Sequence, residues 1–545
     1  MSVSWGEQLD QLFADWNKSD SPGCALGVYQ EGETVYKRGY GTAHLEHDIG
    51  ITPATVFHIA SLSKQFTAMA IGLLARSGEI SLEDDLRKYI PELQISSAIT
   101  FRQIIHHTSG LRDQWDMLRL GGWRNADIKT NGDILRLAAS QKEMNFAPGT
   151  RFQYINTGYT LMGIAIKRIT GKSLREYTDE NMFEPMGMRS TFFHDNYGKI
   201  IKNRAQAYSR NKSGHLYIDM PAYETVGPTN LFSTVEDFGQ WERNLLSPSV
   251  GDDDFIKQML TPGSLDNGQP VGYGFGFITG NYRGLETAEH AGGDAGYRAY
   301  FLRFPGERFA VAIFSNFAEV NPGQLAHDVA DICLAERFKA ENSDKQEVPA
   351  WAGRAAGIRT SLSPDLDGKS GLYRDSLSSM TCRIELRGGR IFLDASAGGE
   401  YELVAVEENR FQFLNVDAEC LFTPATADQP VRMTVKYAGQ ETALCERIVD
   451  EEIAPDFRAD EYAGTYQSEE LDVRYTIELS GEELILQRAK FEPSPLALFA
   501  KDEFSANDEG LHIRFTRNEE GRIIGLTLNA ERVWNVRFDR LASVV

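Results

Sequence analysis

Cysteine is scarce in this chain. Five residues, Cys24, Cys333, Cys382, Cys420 and Cys445, are scattered over 545 positions without a CxxC spacing. An odd, dispersed set excludes a disulfide framework or a cysteine zinc site as the organising principle, and leaves free, mostly buried thiols. No HExxH pair occurs, and neither His44/His47 nor His106-His107 has enough carboxylate or cysteine company to form a metal centre. The glycines of GYGFG (272–276) do not sit between a strand and a helix, so no nucleotide is inferred. No metal or other cofactor is expected.

Positive charge is also in short supply. Lysine and arginine total 56 against 78 acidic residues, for a formal net charge of −22. Nucleic acid or an anionic membrane would need a basic footprint, so neither is expected as a partner. Long apolar runs are missing too, none approaching the ~18 residues of a membrane span. The opening MSVSWGEQLDQLFADW lacks a basic stretch followed by an apolar core. It reads as an amphipathic first helix, and a cytoplasmic protein is expected.

What is present exceeds one hydrophobic core, since domains usually run to ~100–200 residues. Residues 1–340 mix helical and strand patterns. A polar stretch, ENSDKQEVPAW (341–351), opens a linker expected to extend to 358. Thereafter short alternating runs are separated by Gly, Asn and Asp. A weak repeat divides this part: Gly371-Leu372-Tyr373 and Gly464-Thr465-Tyr466 each precede a hairpin turn, at Gly388-Gly389 and Gly481. Two small closed antiparallel barrels are expected, a lipocalin-like one over 359–450 and a second over 451–545, jointed near DEEIAPDFRAD (450–460). In the first part, hairpins are expected at 25–41, turning at Glu31-Gly32, and at 298–314, turning at Pro305-Gly306. A helix follows from Pro322. The fold class is α+β, an antiparallel sheet covered by helices and followed by two barrels.

Three stretches carry chemistry. In HIASLSKQFTAMAIGLLARSGEI (58–80), Phe66, Met69, Ala70, Leu73 and Leu74 recur at helical spacing, predicting a buried helix. Ser61 lies at its N-terminal end, where free N–H groups favour developing negative charge. Lys64 is one turn on, and a buried lysine can take a serine's proton. In NFAPGTRFQYINTGYTLMG (145–163), Tyr154 and Asn156 flank an apolar residue, so an extended backbone aims both to one side. A tyrosine there can relay a proton, while Asn156 can hold a substrate amide or orient Lys64. In GLETAEHAGGDAGYRAYFLRF (284–304), His290 precedes Gly292 and Gly293, which let a substrate approach a strand edge. The N–H groups of that edge and of Ser61 would form an oxyanion hole. Taken singly, each pattern has a plainer meaning: a capped helix, a buried tyrosine beside a capping asparagine, a structural histidine.

The order SxxK, YxN, HxG resembles the serine β-lactamase and penicillin-binding protein superfamily, in its class C-like branch. Further matching runs are HHTSGL (106–111), LEDDLRKYIPEL (82–93), FAPG (146–149), FEPMGM (183–188), LFSTVEDFGQW (231–241) and YGFG (273–276). SLSKQFT, SGLRDQW and EYAGTYQSEELD are similar to stretches of the bacterial D-aminopeptidases, which carry two eight-stranded barrels after the catalytic domain. The resemblance implies an acyl-enzyme on Ser61, activated by Lys64 and relayed by Tyr154. It implies that Asn156, His290 and Gly292 bind substrate, with the oxyanion hole at the amides of Ser61 and Gly293. It implies that a loop of the last barrel restricts the substrate, here about QRAKFEPSPLALF (487–499), and that the chain forms a homodimer. His290 stands where β-lactamases usually hold lysine. A mostly neutral histidine disfavours substrates bound by a carboxylate and suits peptide N-termini, amino-acid amides or esters. The expected function is D-aminopeptidase-like hydrolysis of a small peptide or amide. The alternatives are a β-lactamase-like esterase and a non-catalytic binder of peptides or peptidoglycan fragments.

Overall fold

The structure is a computed structural model describing residues 5–338, 367–396, 400–413, 418–426, 429–437, 440–448, 458–506 and 510–542. The linker expected at 341–358 and most of the joint at 450–460 lie outside the described residues.

Six antiparallel strands form the sheet of the first unit: β1 (Cys24–Gln30), β2 (Glu33–Tyr40), β3 (Ile278–Tyr282), β4 (Leu285–Asp294), β5 (Tyr297–Phe304) and β6 (Phe309–Ser315). Their order is β3-β4-β5-β6-β1-β2, so the two chain ends of the unit meet at the β6–β1 pair, with Leu26 opposite Ile313. The β1–β2 turn has Glu31 and Gly32 both at positive φ, +54° and +79°, the twist that suits a two-residue hairpin. Six helices matter below: α1 (Trp5–Leu12), α2 (Ser63–Arg76), α3 (Gln114–Leu120), α4 (Thr157–Thr170), α5 (Val235–Leu246) and α6 (Pro322–Cys333).

Strand β6 is buried along its whole length because both faces are covered. Phe309, Val311 and Ile313 pack with Leu9 of α1 and with Leu325 and Val329 of α6. Ala310, Ala312 and Phe314 point the other way, into the large core that holds Phe66 and Met69 of α2 and Phe238 and Trp241 of α5. Period-two alternation thus sorts one strand's side chains between two helical layers. Arg303 of β5 and Glu242 of α5 form an ion pair beneath α5, each side chain 1% exposed, with Nη2 donating to Oε1 at 3.2 Å.

The repeat foreseen in the second half is physical. Two closed eight-stranded barrels run from Gly371–Asp375 to Gln440–Ile448 and from Gly464–Ser468 to Val533–Arg540. In each, the first-strand tyrosine donates four residues back: Tyr373 to the Lys369 carbonyl and Tyr466 to the Tyr462 carbonyl, both at 2.8 Å. In each, the opening glycine has positive φ and faces a last-strand guanidinium, Arg447 over Gly371 and Arg540 over Gly464, so a Cβ would meet it within about 3 Å.

The second barrel does not keep a core to itself. Met117, Leu118 and Leu120 of α3, with Ile134 and Leu137, share one buried cluster with Tyr475, Leu528, Val536 and Phe538 of the barrel. Tyr475 donates to the Leu120 carbonyl at 2.7 Å. Arg112 pairs with Glu470, both buried, and its Nη1 donates to Gln141 at 2.7 Å. The loop before α3 is therefore held from both sides.

Arg303→Ala would leave Glu242 charged and buried without a partner, a change that costs roughly 3–5 kcal/mol. A urea titration is expected to lower the unfolding midpoint of the first unit, and that of the second barrel that shares its core, while the first barrel's transition stays in position.

Candidate active site

Strand and helix meet the candidate nucleophile at a strained turn. Ala60–Leu62 forms one turn of 3-10 helix before α2, and Ala60, 1% exposed, is held at φ +47°. A non-glycine residue in that region persists only where its surroundings fix it. Its amide donates to His58 Nδ1 at 3.2 Å. Ser63 secures the turn by donating to the Ala60 carbonyl at 2.5 Å and accepting from the Leu231 amide at 3.1 Å. Ser63 thus has two local partners, whereas the Ser61 hydroxyl faces Lys64.

Lys64 is wholly buried in the first turn of α2. Its Nζ lies 3.0 Å from Ser61 Oγ, and it donates to Asn156 Oδ1 at 2.8 Å and to the Pro228 carbonyl at 3.0 Å. Pro228 reaches it because Gly227, at φ +116°, lies against the Tyr159 carbonyl where a Cβ would stand at 2.3 Å. The Tyr154 phenol lies on the Ser61 side of this cluster, close enough for the serine hydroxyl to act on its acidity, and the Tyr154 ring lies 4.7 Å from Lys64 Nζ. Ser61, Lys64, Tyr154 and Asn156 therefore converge, although 92 residues separate Lys64 from Asn156.

Burial holds the Lys64 amine well below the usual lysine range; Asp113 acts upward, Arg532 downward and Asp294 upward. Burial pushes the Tyr154 phenol the other way, above its ordinary value, with the Ser61 hydroxyl and Arg532 opposing. His290 is brought down to about 3 by burial, helped by Lys64. Its Nε2 meets the Tyr273 hydroxyl at 2.9 Å and its Nδ1 the Ala291 carbonyl at 2.6 Å.

Strand β4 pairs with β3 only as far as Glu289, opposite Ile278, so His290–Asp294 runs past the end of its neighbour. That stretch lies beside the 3-10 turn. A Cβ on Gly292 would stand 2.3 Å from the Ile59 carbonyl, and the next residue, Gly293, is exposed. A cleft of about 430 Å³ adjoins this edge, lined by Gly293, Asp294, Trp115, Trp123, Lys129 and Tyr223 among others. The Asp294 carboxylate accepts from the Tyr223 hydroxyl.

Several contributors were not singled out from sequence. Asp113 is fully buried; its Oδ2 accepts the Asn156 amide at 2.7 Å and Asn156 Nδ2 at 2.9 Å. It lies in SGLRDQW, where an aspartate opening an apolar helix is a capping signal, and its Oδ1 indeed accepts the Trp115 amide at 3.0 Å. His107 packs beneath the site: its ring lies 4.4 Å from that of Tyr154, and its Nδ1 accepts the Ile155 amide at 3.2 Å. Arg532 comes from the second barrel, 3.5 Å from Asp113. The segment expected to restrict the substrate, 487–499, sends Lys490 to Asp127 at 3.2 Å, beside Trp123 at the rim of the cleft.

Away from this site, Glu46 joins His44 and His47, their ligand atoms within 4.8 Å of one another, so that histidine pair does have a carboxylate beside it. No helix among the described residues is long and apolar enough to cross a membrane.

Residues 9–335 match the Beta-lactamase family model. A D-aminopeptidase of Gluconobacter oxydans (strain 621H) is 25% identical over 466 residues, which cover 84% of this chain and 82% of that protein. A penicillin-binding protein of Bacillus subtilis (strain 168) is 26% identical over 440 residues, covering 76% and 93%. An octameric penicillin-binding protein homologue from Pyrococcus abyssi shares the fold, with a TM-score of 0.55 at 20% identity over 90% of this chain and 98% of that one.

Gly292→Ala forces β4 and the Ile59–Leu62 turn apart, an overpacking that costs about 1–3 kcal/mol. Thermal unfolding of the variant is expected to begin several degrees earlier. An unchanged melting curve would mean that the close approach is not maintained.

Proposed function

Because the chain belongs to the Beta-lactamase family of serine hydrolases, we propose that it is a D-aminopeptidase-like amidohydrolase working through an acyl-enzyme on Ser61. The observation that carries the reading is the set of contacts at Lys64 Nζ. A neutral amine has two N–H donors and one lone pair. Two of its neighbours, Asn156 Oδ1 and the Pro228 carbonyl, only accept. With both hydrogens committed to them, the lone pair is left for the Ser61 hydroxyl at 3.0 Å.

Lys64 and Tyr154 are driven apart in acidity by burial, the amine downward and the phenol upward. This divides the labour: Lys64 is the base of the free enzyme and Tyr154 the proton donor. Lys64 takes the Ser61 proton as Oγ bonds to the substrate carbonyl. The resulting oxyanion is met by the amides of Ser61 and Gly293. Tyr154 passes its proton to the departing amine, and the Lys64 ammonium, which holds the proton taken from Ser61, returns one to the phenolate, leaving Lys64 neutral again. Water then adds to the acyl group along the same route, releasing the acid and restoring the serine.

The substrate class is read from charge at His290 and Arg532, with Lys129 and Arg298 set against Asp294 at the same edge. His290 is neutral above about pH 3, and Arg532 is matched by Asp113. Neither offers the free cation that a carboxylate beside the scissile bond would call for. Peptides with a free N-terminus, amino-acid amides and simple esters remain. The likeness to a D-aminopeptidase of Gluconobacter oxydans supports the first two, with D-stereochemistry. A homodimer is retained as part of this proposal, with the Pyrococcus abyssi octamer as the competing precedent.

A fluorophosphonate probe is expected to label Ser61 in the native chain and not in Ser61→Ala; no labelling in either would favour a binding protein. D-alanine p-nitroanilide should be turned over in preference to p-nitrophenyl butyrate, and the reverse ranking would favour the esterase. Lys64→Met should lower the acylation rate by about 10²–10⁴, the usual share of a general base. Lys64 acts when deprotonated, so kcat/KM should rise with pH along one limb lying well below pH 10. His290→Gln should leave that limb in place, because His290 does not titrate there.

A further inference from the structure

The roles assigned so far leave Arg532 unexplained. It occupies the two-residue turn between the barrel strands Ile523–Ala530 and Val533–Arg540. Backbone and side-chain bonds lock this turn into the catalytic unit. The Asp113 amide donates to the Arg532 carbonyl at 3.1 Å, and the Arg532 amide donates to Asp116 Oδ2 at 3.0 Å. Asn145 clasps the turn twice, donating to the Arg532 carbonyl and accepting from the Trp534 amide, each at 2.9 Å. The side chain then leaves a fixed point. Its Nη1 lies 3.5 Å from Asp113 Oδ2, the oxygen that accepts both Asn156 N–H groups.

We propose that Arg532, delivered by the last hairpin of the second barrel, is a positioning residue for the Ser61–Lys64 pair, acting through Asp113 and Asn156, so that the barrel is a working part of the active site. The inference rests on the reading of Ser61 and Lys64 given above.

Asp113 fixes Asn156 with its amide nitrogen inward and its Oδ1 toward Lys64. An unmatched carboxylate in that position would also favour the ammonium form of Lys64, which has no lone pair for the serine. Arg532 offsets it. The charged and titratable groups facing Lys64 are Asp113, Asp294, Arg532, His107, His290 and Tyr154, with the Tyr159 ring 5.6 Å away. Burial keeps both histidines neutral. Arg532 is therefore the fixed cation among them, since a guanidinium does not deprotonate.

The test is the pH dependence of Ser61 inactivation by a fluorophosphonate in the full chain. Arg532→Gln should move the acid limb up by about one pH unit, the lower end of what one nearby charge does. Below the limb this slows inactivation about tenfold. Arg532→Lys should restore the limb. Glu470→Gln, which weakens the neighbouring barrel contact at Arg112, should lower the melting temperature and leave the limb in place. A rate loss uniform across pH, or an unmoved limb in Arg532→Gln, overturns the proposal. Should Arg532→Gln not fold, Asp113→Asn is compared with Asp113→Asn/Arg532→Gln, in which no buried charge is left unmatched. The double variant's limb must lie above that of Asp113→Asn, and coincident limbs overturn the proposal. If Lys64→Met still inactivates at the native rate, the assignment of the base has failed, which is a separate outcome.

Discussion

The site depends on an amine placed where water cannot reach it. Lys64 is fully buried, and its surroundings offer two carbonyl acceptors and one hydroxyl. Removing an ammonium from water costs several kcal/mol unless an anion compensates at close range. Here the carboxylate that acts on it most strongly, Asp113, is turned toward Asn156 and Arg532. The neutral amine is the economical state, and a neutral amine beside a serine hydroxyl is what the proposed base requires. The histidine at 290, the direction of the Asn156 amide and the tight turn at Gly227 all serve to keep that amine dry, uncharged and aimed.

Such an arrangement binds parts of the chain that could otherwise have been independent. The loop before α3 carries Arg112, which reaches Glu470, and Asp113, which reaches Arg532. The cluster that includes Met117, Leu118 and Leu120 continues into the barrel around Leu528 and Val536. A shared core makes the barrel's docking an apolar event of the kind that stabilises domains, whereas separate domains in one chain usually meet through smaller, more polar surfaces. Precision at Asp113 follows, because the carboxylate belongs to a segment packed on both sides.

Much of the fold was legible in the sequence, and so was half of the site. The hairpins at 25–41 and 298–314 announced themselves through alternation and turn residues. The buried α2 showed in the spacing of Phe66, Met69 and Leu74. The paired Gly-x-Tyr openings of the barrels were visible because each performs the same local task, a positive-φ glycine under an arginine and a tyrosine closing on a carbonyl four residues back. Ser61 and Lys64 were readable because one helical turn fixes their relation, and Tyr154 and Asn156 because alternation fixes theirs. Asp113 and Arg532 were not. Their chemistry is a long-range pairing between a loop and a hairpin turn, and an arginine in a hairpin turn resembles any solvated residue until the partner surface is known. The placing of 487–499 at the rim was not legible for the same reason: which turn of a barrel faces inward is decided by how the barrel docks.

The backbone near the reacting groups departs from its local preferences. Ala60, beside Ser61, has φ +47°, and His107, beneath Tyr154, has φ +58°; both are buried. A non-glycine residue held so is strained by about 1–3 kcal/mol. Gln65 Nε2, His107 Nε2 and Arg532 Nε are buried without a hydrogen-bond partner among the described residues. A loosely packed loop would relax each of these defects. They persist because the elements that carry them are fixed from outside, Ala60 by Ser63 and the edge of β4, His107 by the rings of Tyr154 and Tyr273. The shared core therefore has a purpose beyond stability. It supplies the rigidity against which an unfavourable local geometry, and with it the reactive pairing of amine and hydroxyl, can be held.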